Sequence, residues 1–207
     1  MIMYSNTLKP KVDQMFEEIG KKVSETIDAS STRKDAADNI SSLVGTETSS
    51  RSKTMLSDMY AVLSKSTLDK ISNVELQNKF YEADIRSEIF SKYNFSASVS
   101  GMGYSEINRT AMSLGIGGGT AVAGAGITAA LALSGALTIP IAVPVAIVFA
   151  AAVGAFCLSY FKINPDMNKS RFKAAVSEYL ETVKRDFLQW FDTIENYFNT
   201  RVKEIFV

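Results

Sequence analysis

Apolar residues recur along this chain with the period of helices. Leu8, Val12, Met15, Phe16, Ile19, Val23 and Ile27 step by three and four, so one helix carries them on a single face. Pro10 falls near its start, where a missing amide is tolerated. A polar break at Ala29, Ser30, Ser31 and Thr32 follows. Ala36, Ile40, Leu43 and Val44 then predict a shorter helix that Gly45 stops, with 46–52 as loop or cap. Met55, Leu56, Met59, Val62 and Leu63 form another short stripe. Thr67 is placed to cap a longer helix reaching about Tyr93, carried by Leu68, Ile71, Val74, Tyr81, Ile85, Ile89 and Phe90. Segment 95–103 has no helical period and holds Gly101 and Gly103, which reads as a hinge.

The period returns after Asn164, Pro165 and Asp166, where proline pushes the preceding residue out of the helical region. Phe172, Val176, Tyr179, Val183, Phe187, Trp190, Phe191, Ile194, Phe198, Val202 and Ile205 predict one long amphipathic helix from Asn168, dense in aromatics. Its charges are mixed in sign, which suits a bundle core better than a cationic membrane-surface helix.

Between hinge and final helix the alternation vanishes because charge does. Residues 110–161 contain no Asp, Glu, Lys or Arg, well beyond the roughly 20 positions needed to cross a bilayer. Pro140 and Pro144 interrupt the run, since proline removes an amide donor and clashes with the preceding turn. Two apolar helices joined by a tight bend are expected. The second arm, 141–161, would be roughly 31 Å long at 1.5 Å per residue, close to a ~30 Å hydrocarbon core. The first arm, 111–137, is slightly longer and would tilt or fray at its glycines. Both open ends would then lie on one side.

Small residues form rows on both arms: Gly115, Gly119 and Ala123; Gly117, Ala121 and Ala125; Ala142, Ala146, Ala150 and Gly154. Such rows let helix backbones approach closely in lipid. The residues expected to insert are Gly115, Gly119, Ala123, Leu131, Pro140, Pro144, Val148, Gly154 and Leu158. Tyr104, Arg109, Tyr160, Phe161 and Lys162 flank them as interface anchors, with Lys169, Arg171 and Lys173 beyond, because basic and aromatic residues favour the headgroup layer.

Composition narrows the chemistry. The 207 residues carry 22 basic and 22 acidic side chains, which is no footprint for nucleic acid. Histidine is absent, removing the commonest general base and metal ligand. Cys157, alone of its kind, lies in the second arm and reads as a small buried hydrophobe. The glycine-rich stretch 114–120 has no Gly-Lys-Ser/Thr ending and so is no phosphate loop. Glu17, Glu18, Asp35, Asp38, Glu82 and Asp84 fall on faces that read as exposed. Neither an enzyme, a cofactor, a metal nor a small-molecule substrate is expected. The amino-terminal residues lack the pattern of a cleavable signal peptide.

The expected fold is all-α, an elongated helical bundle with a central hydrophobic hairpin. It comprises an amphipathic region (1–108), the hairpin (109–162) and a carboxyl-terminal helix (163–207) in one structural domain. The amphipathic helices barely suffice to cover two wholly apolar ones. Either a metastable soluble bundle releases the hairpin into a membrane, or the hairpin resides in lipid from the start.

This order of elements, two apolar arms bent at Pro140 and Pro144 between long amphipathic helices, resembles α-helical pore-forming toxins of the cytolysin A type. The hairpin is also similar to that of pore-forming colicins, which place theirs nearer the chain end. The resemblance implies a lipid bilayer as partner, permeabilisation through the hairpin, homo-oligomerisation, and a protein partner that shields the hairpin. A weaker resemblance, to the stalk and membrane paddle of bacterial dynamin-like proteins, implies a non-enzymatic anchoring or remodelling component working with a separate GTPase. A two-pass membrane protein is a third expectation.

Overall fold

The computed structural model describes residues 4–93, 99–113, 145–164 and 168–206. Among them every regular element is a helix: α1 (Ser5–Ala29), α2 (Arg33–Leu68), α3 (Val74–Glu82), α4 (Ile85–Lys92), α5 (Tyr104–Ser113), α6 (Val145–Ile163) and α7 (Lys169–Ile205). Local chemistry starts several of them. The side-chain oxygens of Thr32, Asn73, Asp84 and Asn168 accept backbone N–H bonds in the first turns of α2, α3, α4 and α7, satisfying donors that a helix start leaves orphaned.

The stripes at the two ends of the chain bury as expected. Leu8, Val12, Met15, Phe16, Ile19, Val23 and Ile27 are all core residues of α1. On α7, Phe172, Val176, Val183, Phe187, Trp190, Phe191, Ile194 and Phe198 are core, while Tyr179, Val202 and Ile205 pack at its edge. At 37 residues, α7 is roughly 55 Å long and serves as the aromatic spine. Its rings meet Phe16 of α1 at 5.9 Å, Tyr60 of α2 at 5.9 Å and Phe80 of α3 at 6.3 Å between centroids. Tyr93, just past α4, sits 6.2 Å from Trp190. These mostly edge-on contacts suit the ring quadrupoles.

The middle of the chain departs from expectation twice. Gly45 does not stop a helix, and 46–52 is not a loop: α2 runs unbroken from Arg33 to Leu68, with Gly45 buried mid-helix. Tertiary contact outweighs the glycine's low propensity, because α2 meets α6 too closely there for a side chain. Nor does Thr67 start a helix. Its hydroxyl donates to the Leu63 carbonyl at 2.9 Å inside α2, and 67–93 is divided into the end of α2, then α3 and α4. The break between the short helices is at Asp84, whose φ of 41° lies in the left-handed region. The expected stripe holds only in part: Ile85 and Ile89 are buried, but Val74 and Tyr81 are 68% and 64% exposed, and Phe80 is the residue that α3 buries against α7.

Of the expected hairpin, the second arm is α6. The first arm beyond Ser113 and the bend, with Gly115, Gly119, Ala123, Leu131, Pro140 and Pro144, lie outside the described residues, as does part of the predicted hinge (95–98); the arm's first residues, 111–113, form the end of α5.

Candidate functional site

Helix α6 has no charged residue before Lys162. By length and composition it is long and apolar enough to cross a bilayer, yet 61% of that span is buried inside the bundle. Residues 145–155 are buried at every position, so three successive turns have no outward face. Val148 and Gly154 belong to this stretch, and Leu158 is half-buried beyond it. A helix apolar all round belongs inside something, and α2, α5 and α7 wrap it.

Its walls differ in chemistry. Toward α2 and α5 it presents the row Ala146, Ala150 and Gly154. On α2, Ser41 and Gly45 meet it, and Thr48 and Ser52 continue the same helical face by their spacing, all buried. A Cβ placed on Gly45 would stand 2.8 Å from the Ala150 Cβ and 2.8 Å from a Val99 methyl, closer than real contacts allow. The Ser41 hydroxyl donates to the Ala150 carbonyl at 2.6 Å. The other buried hydroxyls stay within their own helix: Thr48 donates to the Val44 carbonyl at 2.7 Å, and Ser52 to that of Thr48. These bonds satisfy polar groups that burial would otherwise penalise. The wall is therefore small and hydroxylic, the type of surface that packs helices within lipid.

Toward α7, α6 presents rings. Phe156 stacks on Tyr179 with centroids 4.2 Å apart and planes 4° from parallel, Phe161 lies 4.4 Å from Phe172, and Phe149 lies 5.5 Å from Phe187. The Tyr179 hydroxyl reaches the Ala152 carbonyl at 3.5 Å. Burial pushes its pKa up to about 12, so it stays a neutral donor.

The sequence-selected anchors divide. Tyr104 is half-buried, its ring against Gly154 and its backbone N–H donating to Asp38 Oδ1 at 2.9 Å. Tyr160 and Phe161 are half-buried on Phe172. Arg109 and Lys162 are exposed, and Ile163 beside Lys162 is 76% exposed. Two basic residues beyond α6 are engaged elsewhere: Lys169 Nζ donates to the carbonyls of Asp28 and Ser30 at 2.7 and 3.3 Å, and Lys173 pairs with Asp28 at 2.6 Å. They cap the negative end of α1.

Sequence reasoning did not find Asp38, Ser41, Gly45, Thr48 and Ser52. A signal was present, because Ser41, Gly45, Thr48 and Ser52 repeat the three-four spacing of small residues that the apolar arms display. Among the described residues, no group of three or more His, Cys, Asp or Glu side chains is placed to hold a metal ion. No known protein family, curated protein or solved structure matches this chain.

Proposed function

We propose that the chain inserts its apolar segment, 111–161, into a lipid bilayer and permeabilises it, assembling with further copies of itself in the membrane. The observation that carries this reading is the storage of α6. A helix fit for a bilayer is held in the bundle core, and it meets α2 closely at Gly45 and through the Ser41 hydroxyl. Moving α6 from this core to hydrocarbon exchanges one apolar environment for another, so the barrier to release lies in the small-residue contacts and the aromatic face on α7. A protein partner that covers the segment before release is compatible with the same economy of cover.

Dye release from liposomes tests the proposal. The wild type is expected to leak dye and to pass from monomer to lipid-bound oligomer. Val122→Asp, in the first arm, is expected to abolish leakage while leaving helicity intact, since a charge at the bilayer centre costs about 2.5 to 3.5 kcal/mol. Full leakage by that variant would overturn the proposal. Ala146 is a poor site for the same test, because it is only 1% exposed in the bundle and a charge there would breach the core before any membrane is met. Tubulation of the vesicles without leakage would favour the remodelling reading.

A further inference from the structure

Helix α5 is ten residues long, and its last three residues, 111–113, begin the apolar segment. It leaves Gly101, whose φ of 79° lies in the left-handed region, and a turn in which the Met102 N–H donates to the Val99 carbonyl at 3.2 Å. Glycine takes that conformation without the strain a side chain brings, so the turn suits a pivot. Beyond it, Ile107 and Ala111 are buried while Ser105, Glu106 and Arg109 face water. One residue of α5 touches both a wall of the berth and the helix held in it. The backbone N–H of Tyr104 is bonded to Asp38 on α2, and its ring fills the notch at Gly154 on α6.

The notch is specific to that ring. A Cβ built on Gly154 would come within 2.0 Å of a Tyr104 ring carbon, far inside any tolerable contact. Glycine inside a 19-residue helix is a poorer helix former than alanine, and seating the ring accounts for its presence. Burial of the ring also raises the Tyr104 hydroxyl pKa.

We propose that Tyr104 is a latch that holds α6 in its berth, and that swinging α5 about Gly101 to withdraw the ring from Gly154 is the step that frees α6. This rests on the reading of α6 as the element that moves into the membrane.

Cys157, fully buried on α6 and the chain's single cysteine, reports opening without any membrane. Labelling of folded protein by N-ethylmaleimide is expected to be slow in the wild type and in Tyr104→Phe, which keeps the ring. Tyr104→Ala and Gly154→Leu are expected to label about tenfold faster, as local opening becomes easier by the worth of a buried ring contact. Asp38→Ala, altering a half-exposed side chain, gives a smaller acceleration and serves if the other two fold poorly. Val12→Ala, in the α1 face packed toward α7, lowers global stability and is expected to leave the labelling rate of folded protein unchanged. Wild-type rates in well-folded Tyr104→Ala, or equal acceleration by Val12→Ala, would overturn the latch. The two proposals fail separately: fast labelling with no leakage from any variant sinks permeabilisation alone, and wild-type leakage with rates indifferent to Tyr104 sinks the latch alone.

Discussion

Gly20 and Gly45 both sit inside helices, and their neighbours give substitution opposite signs. Nothing lies within 4 Å of a Cβ built on Gly20, so Gly20→Ala is expected to stabilise the fold by about 0.5 to 1 kcal/mol through helix propensity. At Gly45 the same methyl meets the Ala150 Cβ, which is fixed to a backbone and cannot swing away. Overpacking of that kind costs about 1 to 3 kcal/mol, which exceeds the propensity gain. Thermal melting should therefore rise for Gly20→Ala and fall for Gly45→Ala. Residues of this sort mark the limit of what the sequence discloses. Leu8 through Ile27 and Phe172 through Phe198 were legible as core because large side chains at helical spacing have one use. Ser41, Thr48 and Asp38 were not, because a polar residue reads as exposed until the helix opposite it is known.

At the scale of elements, α2 was the one most poorly foreseen, and its composition says why. Its first turns bury Ile40 and Val44 among Ala37, Ser41 and Gly45, its middle buries Thr48 and Ser52, and its last turns bury Met55, Leu56 and Met59. Only the middle lacks the large apolar residues by which amphipathic helices are recognised. A glycine followed by Thr46, Thr48, Ser49 and Ser50 then looks like a loop when the partner helix is out of view. Hydrogen exchange decides between the two: amides in 46–52 are expected to be protected as strongly as those in 36–44. Fast exchange confined to 46–52 would restore the loop. The long final helix was legible throughout, since its aromatics serve five other helices at once. Of the expected hairpin, the structure places 111–113 at the end of α5 and 145–161 in α6, and the rest lies outside the described residues.

For the molecule as a whole, α4 and α7 are tied by a pair that acidity can open. Arg201 donates to Glu88 through Nε at 2.7 Å and Nη2 at 2.8 Å, and the Tyr197 hydroxyl adds a bond at 3.1 Å. The guanidinium, above all, holds the Glu88 carboxyl below its ordinary 4.5. A carboxylate depressed in the folded state contributes stability above its unfolded pKa, and that contribution is lost as pH falls through the lower folded value. Glu88→Gln is therefore expected to melt lower than wild type at neutral pH and to show a flatter decline below about pH 4.5; parallel acid limbs would argue against the pair. The berth of α6 has a further consequence once it is empty. Thr48 and Ser52 keep their hydroxyl bonds within their own helix, while Ser41 loses the Ala150 carbonyl and exchanges it for water. The α7 side, stripped of Phe149, Phe156 and Phe161, would show the faces of Phe172, Tyr179 and Phe187. On the proposed release, the vacated bundle would be a gutter with one bank carrying hydroxyls and one oily bank, an asymmetry that would orient it against a membrane or a neighbouring copy.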